Sequence, residues 1–168
     1  LVLGAGNAAI NSTVNNTVMR CNFFGTSADG TTAVSSATHV GLNVTGNGSI
    51  IGGNALTDMN LFGKYGVSIG GNNNTLKNNI IGTNITGTTA LGIESYGGVT
   101  LDGDTGTTIA NNLISGITGR GINFWYGTHT DVTIKGNKIG TNYAGTAALP
   151  NTGNGIGSYG DFVNLMIG

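Results

Sequence analysis

The chain has 168 residues, among them 32 glycines, one proline and one cysteine, with 8% charged side chains and a formal net charge of −1, a length that fits one domain. The single proline excludes a collagen-like repeat, 38% hydrophobic residues exclude charge-rich disorder, and six scattered Lys and Arg make no basic stripe for nucleic acid. No apolar run approaches the roughly 20 residues of a membrane-spanning helix, and the Gly/Asn/Thr-rich, weakly charged make-up with no cysteine pair reads as extracellular or cell-surface.

In chain order, Leu1-Val2-Leu3 opens as a strand-like segment. The pattern N-x-x-G-T-x-x-x-G-T-x-A-[VL] then occurs three times, at residues 22–34, 79–91 and 137–149, with its first glycine at Gly25, Gly82 and Gly140, steps of 57 and 58 residues. Between the copies a second motif recurs, a small residue followed by apolar-x-apolar. It reads Gly41-Leu42-Asn43-Val44, Gly66-Val67-Ser68-Ile69, Gly98-Val99-Thr100-Leu101, Gly121-Ile122-Asn123-Phe124 and, in a weaker copy, Gly155-Ile156-Gly157-Ser158. Its steps are 25, 32, 23 and 34, so short and long units alternate and two of them fill one 57-residue super-repeat. The chain ends in another strand-like segment, Leu165-Met166-Ile167, aligned with Ser49-Ile50-Ile51.

Apolar alternation at period two, bounded by Gly and Asn, predicts short strands, and nothing in the chain carries a 3.6-residue stripe. Units of 23 to 34 residues cannot bury a core alone but can when stacked. The fold expected is therefore all-β, a single-stranded right-handed parallel β-helix of about five to six coils in one domain. Its super-repeats fall at roughly 1–63, 64–119 and 120–168. Gly25, Gly82 and Gly140 are expected at positive φ, and Asn22, Asn79 and Asn137 are expected to stack, their amides bonding the backbone of a turn or of the next coil.

With these residues in place, the alternation of G-[IVL]-x-[IVLF] strands with G-T-x-x-x-G-T-x-A-L segments resembles the parallel β-helix repeats of bacterial secreted and cell-surface proteins, which share a pectate-lyase-like architecture. The resemblance covers residues 18–168 and implies the fold; that scaffold serves adhesins, structural proteins, phage spikes, lyases and glycosidases alike. The motifs that would carry over catalytic residues are absent, so none are transferred and no enzyme activity is expected.

Among candidate sites, Asp102-Gly103-Asp104 is the one close pair of carboxylates, near Arg120, Asp131 and Lys135, and reads as a solvated turn beside Gly103. Trp125 and Tyr126 follow the inward Ile122 and Phe124 and are expected outside, with Tyr96 or Tyr159, where they could meet a carbohydrate or a lateral neighbour. His39 and His129 read as isolated loop residues, Cys21 as a buried thiol, and no cofactor or metal is expected. The chain shows no polar cap at either end, so Leu1, Val2 and Leu3 with Leu165, Met166 and Ile167 are expected to form a head-to-tail assembly interface between copies. The function expected is an extracellular structural or adhesive fibre component, with self as partner. The competing reading is a carbohydrate-binding or polysaccharide-degrading β-helix using Asp102, Asp104, Trp125 and Tyr126.

Overall fold

Gly and Asn punctuate runs too short for helix, and the described residues form three long parallel sheets and a short two-stranded one. In the computed structural model, which describes residues 8–34 and 40–168 with only the backbone at 94–96, the one helical element among the described residues is a 3-10 turn, Leu56–Asp58. Leu1, Val2, Leu3, His39 and the side chain of Tyr96 lie outside the described residues.

The first sheet stacks Ala8–Ser12, Val40–Val44, Gly66–Ile69, Ile93–Leu101, Ile117–Phe124 and Ile156–Ser158. The second stacks Val18–Met19, Ile50–Gly52, Thr75–Lys77, Thr108–Ala110, Thr133–Lys135 and Met166–Ile167. The third stacks Phe23–Phe24, Leu61–Phe62, Ile80–Ile81, Leu113–Ile114 and Lys138–Ile139. The chain visits the three in turn and returns one strand further on, with neighbours parallel, an order consistent with a β-helix or solenoid. Leu42, Val67, Val99, Ile122 and Ile156 are register partners, so the apolar-x-apolar motifs stack as read from the sequence. Asn43, Ser68, Thr100, Asn123 and Gly157 form the intervening column.

Inside the three sheets one core runs along the stack, from Phe24 and Leu42 through Ile81 and Val99 to Phe124 and Ile134. Phe24 and Phe62 stack at 4.5 Å between centroids, with their ring planes nearly parallel. Each residue in this column meets its register neighbour at the inter-strand spacing of roughly 4.8 Å, which rewards like side chains along the axis.

Between the second and third sheets the backbone turns beneath this core, and its polar groups need partners. Asn22, Asn60, Asn79, Asn112 and Asn137 supply them. The backbone N–H and side-chain Nδ2 of each of the first four donate to Oδ1 of the next, at 2.9–3.1 Å. Nδ2 also donates to a main-chain carbonyl: Met19 for Asn60, Ile51 for Asn79, Leu76 for Asn112 and Ile109 for Asn137. Asn60, Asn79 and Asn112 are buried. Before most of these asparagines the chain passes through the left-handed region, at Cys21, Asn78, Asn111 and Gly136. Cys21 is exposed, not buried, and its thiol donates to the Thr57 carbonyl at 2.8 Å. Its register equivalents are polar or glycine because the position faces outward.

Gly25, Gly82 and Gly140 adopt positive φ of 64°, 91° and 77°. From each a loop leaves the third sheet and is closed by an antiparallel bridge, Thr26 to Ala33, Thr83 to Ala90 and Thr141 to Ala148. The residue two after the glycine fixes the loop interior: Asn84 Oδ1 accepts from the N–H of Thr88 and Thr89, Asn142 Oδ1 from Thr146 and Ala147, and Ser27 Oγ from Thr32. The loops touch each other across the intervening coil, Ile85 N–H donating to Gly30 O and Tyr143 N–H to Gly87 O, both at 2.9 Å. Under them the outward side chains Leu61, Ile80 and Leu113 form a second buried cluster, joined by Phe23, Met59 and Ile85. In the first loop the Asp29 carboxylate accepts from the Ser27 and Thr31 hydroxyls and the Thr31 N–H, and these bonds, that from Ser27 foremost, hold its pKa below the ordinary value.

Replacing Asn79 by Ala removes an acceptor shared by two donors of Asn60 and leaves buried polar groups unpaired, at roughly 1–3 kcal/mol each. The urea midpoint of Asn79→Ala is expected to fall well below that of Asn22→Ala, at the less buried end of the ladder; equal midpoints would contradict the ladder's role. Gly87→Ala places a Cβ 2.6 Å from Tyr143 Cβ at φ +66°, whereas Gly92→Ala, at φ +68°, meets nothing within 4 Å. Gly87→Ala should therefore be the more destabilising in the same urea experiment, and equal losses would show that the loops do not bear on one another. Since the folded-state pKa of Asp29 is depressed, its stabilisation of the first loop is complete above the unfolded-state value and is lost as pH falls through the folded one. A carboxyl NMR titration should find its midpoint below that of an unstructured Asp.

Candidate functional site

The corner from the first sheet to the second changes along the chain. Three residues separate Val44 from Gly48 and Ile69 from Asn73, the left-handed residues that end the corner; four separate Leu101 from Gly106, and six separate Phe124 from Asp131. The narrow corners are filled by backbone: a Cβ on Gly71 would lie 2.2 Å from Gly46 O. The wider ones need side chains, and Asp104, His129 and Phe162 occupy the space.

Thr105 bridges Thr130, which sets Asp104 one coil beneath His129, and His129 is paired in turn with Phe162 through a short two-stranded sheet, Thr128–Thr130 with Asp161–Val163. His129 Nδ1 lies 2.7 Å from Asp104 Oδ1 and Nε2 lies 3.1 Å from the Trp125 carbonyl. Both residues are fully buried, with the imidazole edge-on to Phe124 at 4.9 Å. Both ring nitrogens thus face oxygen atoms, a carboxylate on one side and a main-chain carbonyl on the other. The second Asp104 oxygen, Oδ2, has no hydrogen-bond partner.

Two readings from the sequence are corrected here. Asp104 is not a solvated turn residue and His129 is not a loop residue in solvent, because the widened corner closes over them. Asp102 is exposed, so the two carboxylates of Asp102-Gly103-Asp104 do not share one environment. Asp131 is exposed and accepts from Asn164 Nδ2 at 2.9 Å, apart from the buried pair. The signal for His129 was the extra length of the Trp125 to Asp131 segment relative to the earlier corners. Among the described residues no group of three His, Cys, Asp or Glu is arranged to hold a metal ion.

The aromatic residues do come together. Trp125 meets Tyr126 at 5.3 Å and Tyr159 at 5.7 Å, both edge-on, and Tyr126 and Tyr159 stack at 5.7 Å. Tyr126 and Tyr159 are exposed and Trp125 is half-buried. The Arg120 guanidinium lies 4.0 Å over the Tyr159 ring and its Nη1 donates to Asn123 Oδ1 at 2.6 Å. Arg120, Asn123, Trp125 and Tyr159, with Gly119, Gly153 and Asn154, line a depression of about 260 Å³, and Tyr126 stands outside it. At the end of the second sheet Met166 and Ile167 are exposed, while Leu165 is half-buried against the core.

No family model, curated protein or solved structure matches the chain.

Removing one partner of the buried pair should be costly, on the order of 3–5 kcal/mol, while replacing both by apolar residues should recover much of the loss. A double-mutant cycle of His129→Phe and Asp104→Leu by urea unfolding is expected to show strong positive coupling; additive losses would contradict the pairing.

Proposed function

We propose that the protein is an extracellular structural or adhesive scaffold, a right-handed parallel β-helix of the pectate-lyase-like kind, lengthened along its axis by further coils. The observation that carries this reading is that its order is axial throughout. The asparagine ladder, the apolar columns and the loop stack all run from coil to coil, and each can be continued by one more coil of the same kind. The connection between neighbouring parallel strands of one sheet passes through a strand of each of the other two, and such crossovers favour the right-handed sense.

The exposed Met166 and Ile167 lie on the strand that ends the second sheet, so a coil added there, by continuation of the chain or by another copy, would pair with them in register and cover apolar surface. In a head-to-tail fibre the partner is self, Leu1, Val2 and Leu3 of one copy meeting Leu165, Met166 and Ile167 of the next, and the contact is heterologous and propagates. Its mechanical strength would come from backbone hydrogen bonds and stacked apolar layers running through the junction. The low charge of the sides supports an extracellular matrix or surface setting in which rods lie against one another.

Electron microscopy of the purified chain over a concentration series tests the assembly. Unbranched filaments with an axial repeat of about 25–30 Å, five to six coils at roughly 4.8 Å, are expected. Dispersed short particles at every concentration would overturn head-to-tail stacking.

A further inference from the structure

We propose that the depression beside Trp125, Tyr159 and Arg120 is a binding site for a single neutral pyranose ring. The proposal is independent of how the coils are extended. Its first support is an unmet hydrogen bond: Asn123 is 1% exposed, its Oδ1 is taken by Arg120, and its Nδ2 has no partner. An orphaned buried donor is uncommon and costs free energy unless something supplies an acceptor. On one side of Asn123 the register removes an acceptor; on the other its partner is Thr100. The neighbour one coil on is Gly157, which has no side chain, and a Cβ there would collide with Arg120 Cδ and Nε at 2.8 Å. Glycine at this position thus makes room for Arg120 to lie across the column and offers no acceptor to Asn123, a residue that lines the depression and whose buried amide nitrogen has no partner.

The second support is the wall opposite. Trp125 and Tyr159 offer an apolar ring surface with a polar tip, suited to the C–H face of a sugar. Arg120, fixed by its contact with Tyr159 and by Asn123, keeps further N–H donors beside that surface. A ring with acceptor oxygens on its rim and an apolar face satisfies both walls. About 260 Å³ lies below the usual range for ligand pockets, which suits one ring and not an extended chain. The negative faces of the two aromatic rings, Trp125 and Tyr159, disfavour an anion, and the guanidinium charge is already directed at Tyr159. Asp102 and Asp104 take no part, since Asp104 is held by His129.

Trp125 is the single tryptophan of the chain, so its fluorescence reports on this depression alone. The probes are methyl α-glucopyranoside, methyl β-galactopyranoside, methyl α-mannopyranoside and N-acetylglucosamine, with glucuronate and acetate as anionic controls. Saturation-transfer NMR on the same sugars covers binding that leaves the emission unchanged. A saturable response to at least one neutral pyranoside is expected. Tyr159→Ala, at an exposed position, should weaken it by roughly tenfold or more. Asn123→Asp, which keeps the size and the Arg120 contact but removes the donor, should weaken it likewise, with the urea midpoint of each variant checked first. The proposal is overturned if no neutral pyranoside is bound by either measurement or if only the anions respond. It is equally overturned if binding survives in both variants, or if the signal follows protein concentration instead of sugar, which would make the patch a lateral contact between copies.

Discussion

A chain that turns a corner directly beneath an apolar core must find partners for the main-chain groups of that corner without water. In this protein the side-chain amide of one asparagine per coil meets the need, and the rest of the architecture follows from it. Each of the three inner amides, Asn60, Asn79 and Asn112, accepts from the coil behind through one oxygen and donates both ahead and to a carbonyl of the second sheet. The spacing that lets an amide reach the next one is the inter-strand spacing itself. The ladder therefore fixes the register of the third sheet, and with it which residue of each short strand faces inward.

That constraint explains why two coils, and not one, form the repeating unit. Short third-sheet strands such as Ile80–Ile81 and Leu113–Ile114 turn one side chain inward and one outward, and the outward ones are apolar. A loop on every second coil is long enough to cover two of these outward residues, and Gly30 and Gly87 let successive loops bond across the coil between them. The 57-residue spacing is then the distance between covers, and the intervening coils remain free to carry other features. One of these is the insertion before Asn60, where Asp58 accepts from Ala55 N–H at 3.2 Å in a 3-10 turn. The widening corner near the buried Asp104–His129 pair is a further example.

Much of this was legible in the sequence. The strand motifs at Leu42, Val67, Val99 and Ile122 stack as their spacing required, and the glycines at 25, 82 and 140 adopt the backbone conformation that their position after an inward apolar residue implied. Asn22, Asn79 and Asn137 belong to the ladder, whereas Asn60 and Asn112 were missed because the longer motif marks only alternate coils. The shorter signal, Asn followed two residues later by an inward apolar side chain, is present in all five. What the sequence hid were contacts set by corner width. Asp104 and His129 are 25 positions apart in polar segments, and no local pattern distinguishes a turn that stays in solvent from one that closes over its own side chains. The aromatic patch was half visible: Trp125 and Tyr126 are adjacent in the chain, but Arg120, Asn123 and Tyr159 reach it only through the register of the first sheet.

Hydrogen exchange on the wild-type chain and on Asn79→Ala tests the ladder most directly. If the amides act as one continuous support, Asn60, Asn79 and Asn112 are among the slowest-exchanging main-chain groups, and the substitution speeds exchange through Leu61, Ile80 and Leu113 in the coils on either side. Faster exchange confined to residue 79 and its immediate chain neighbours, with the adjoining coils as protected as before, would show that each coil stands on its own packing and that the ladder is not what holds the stack in register.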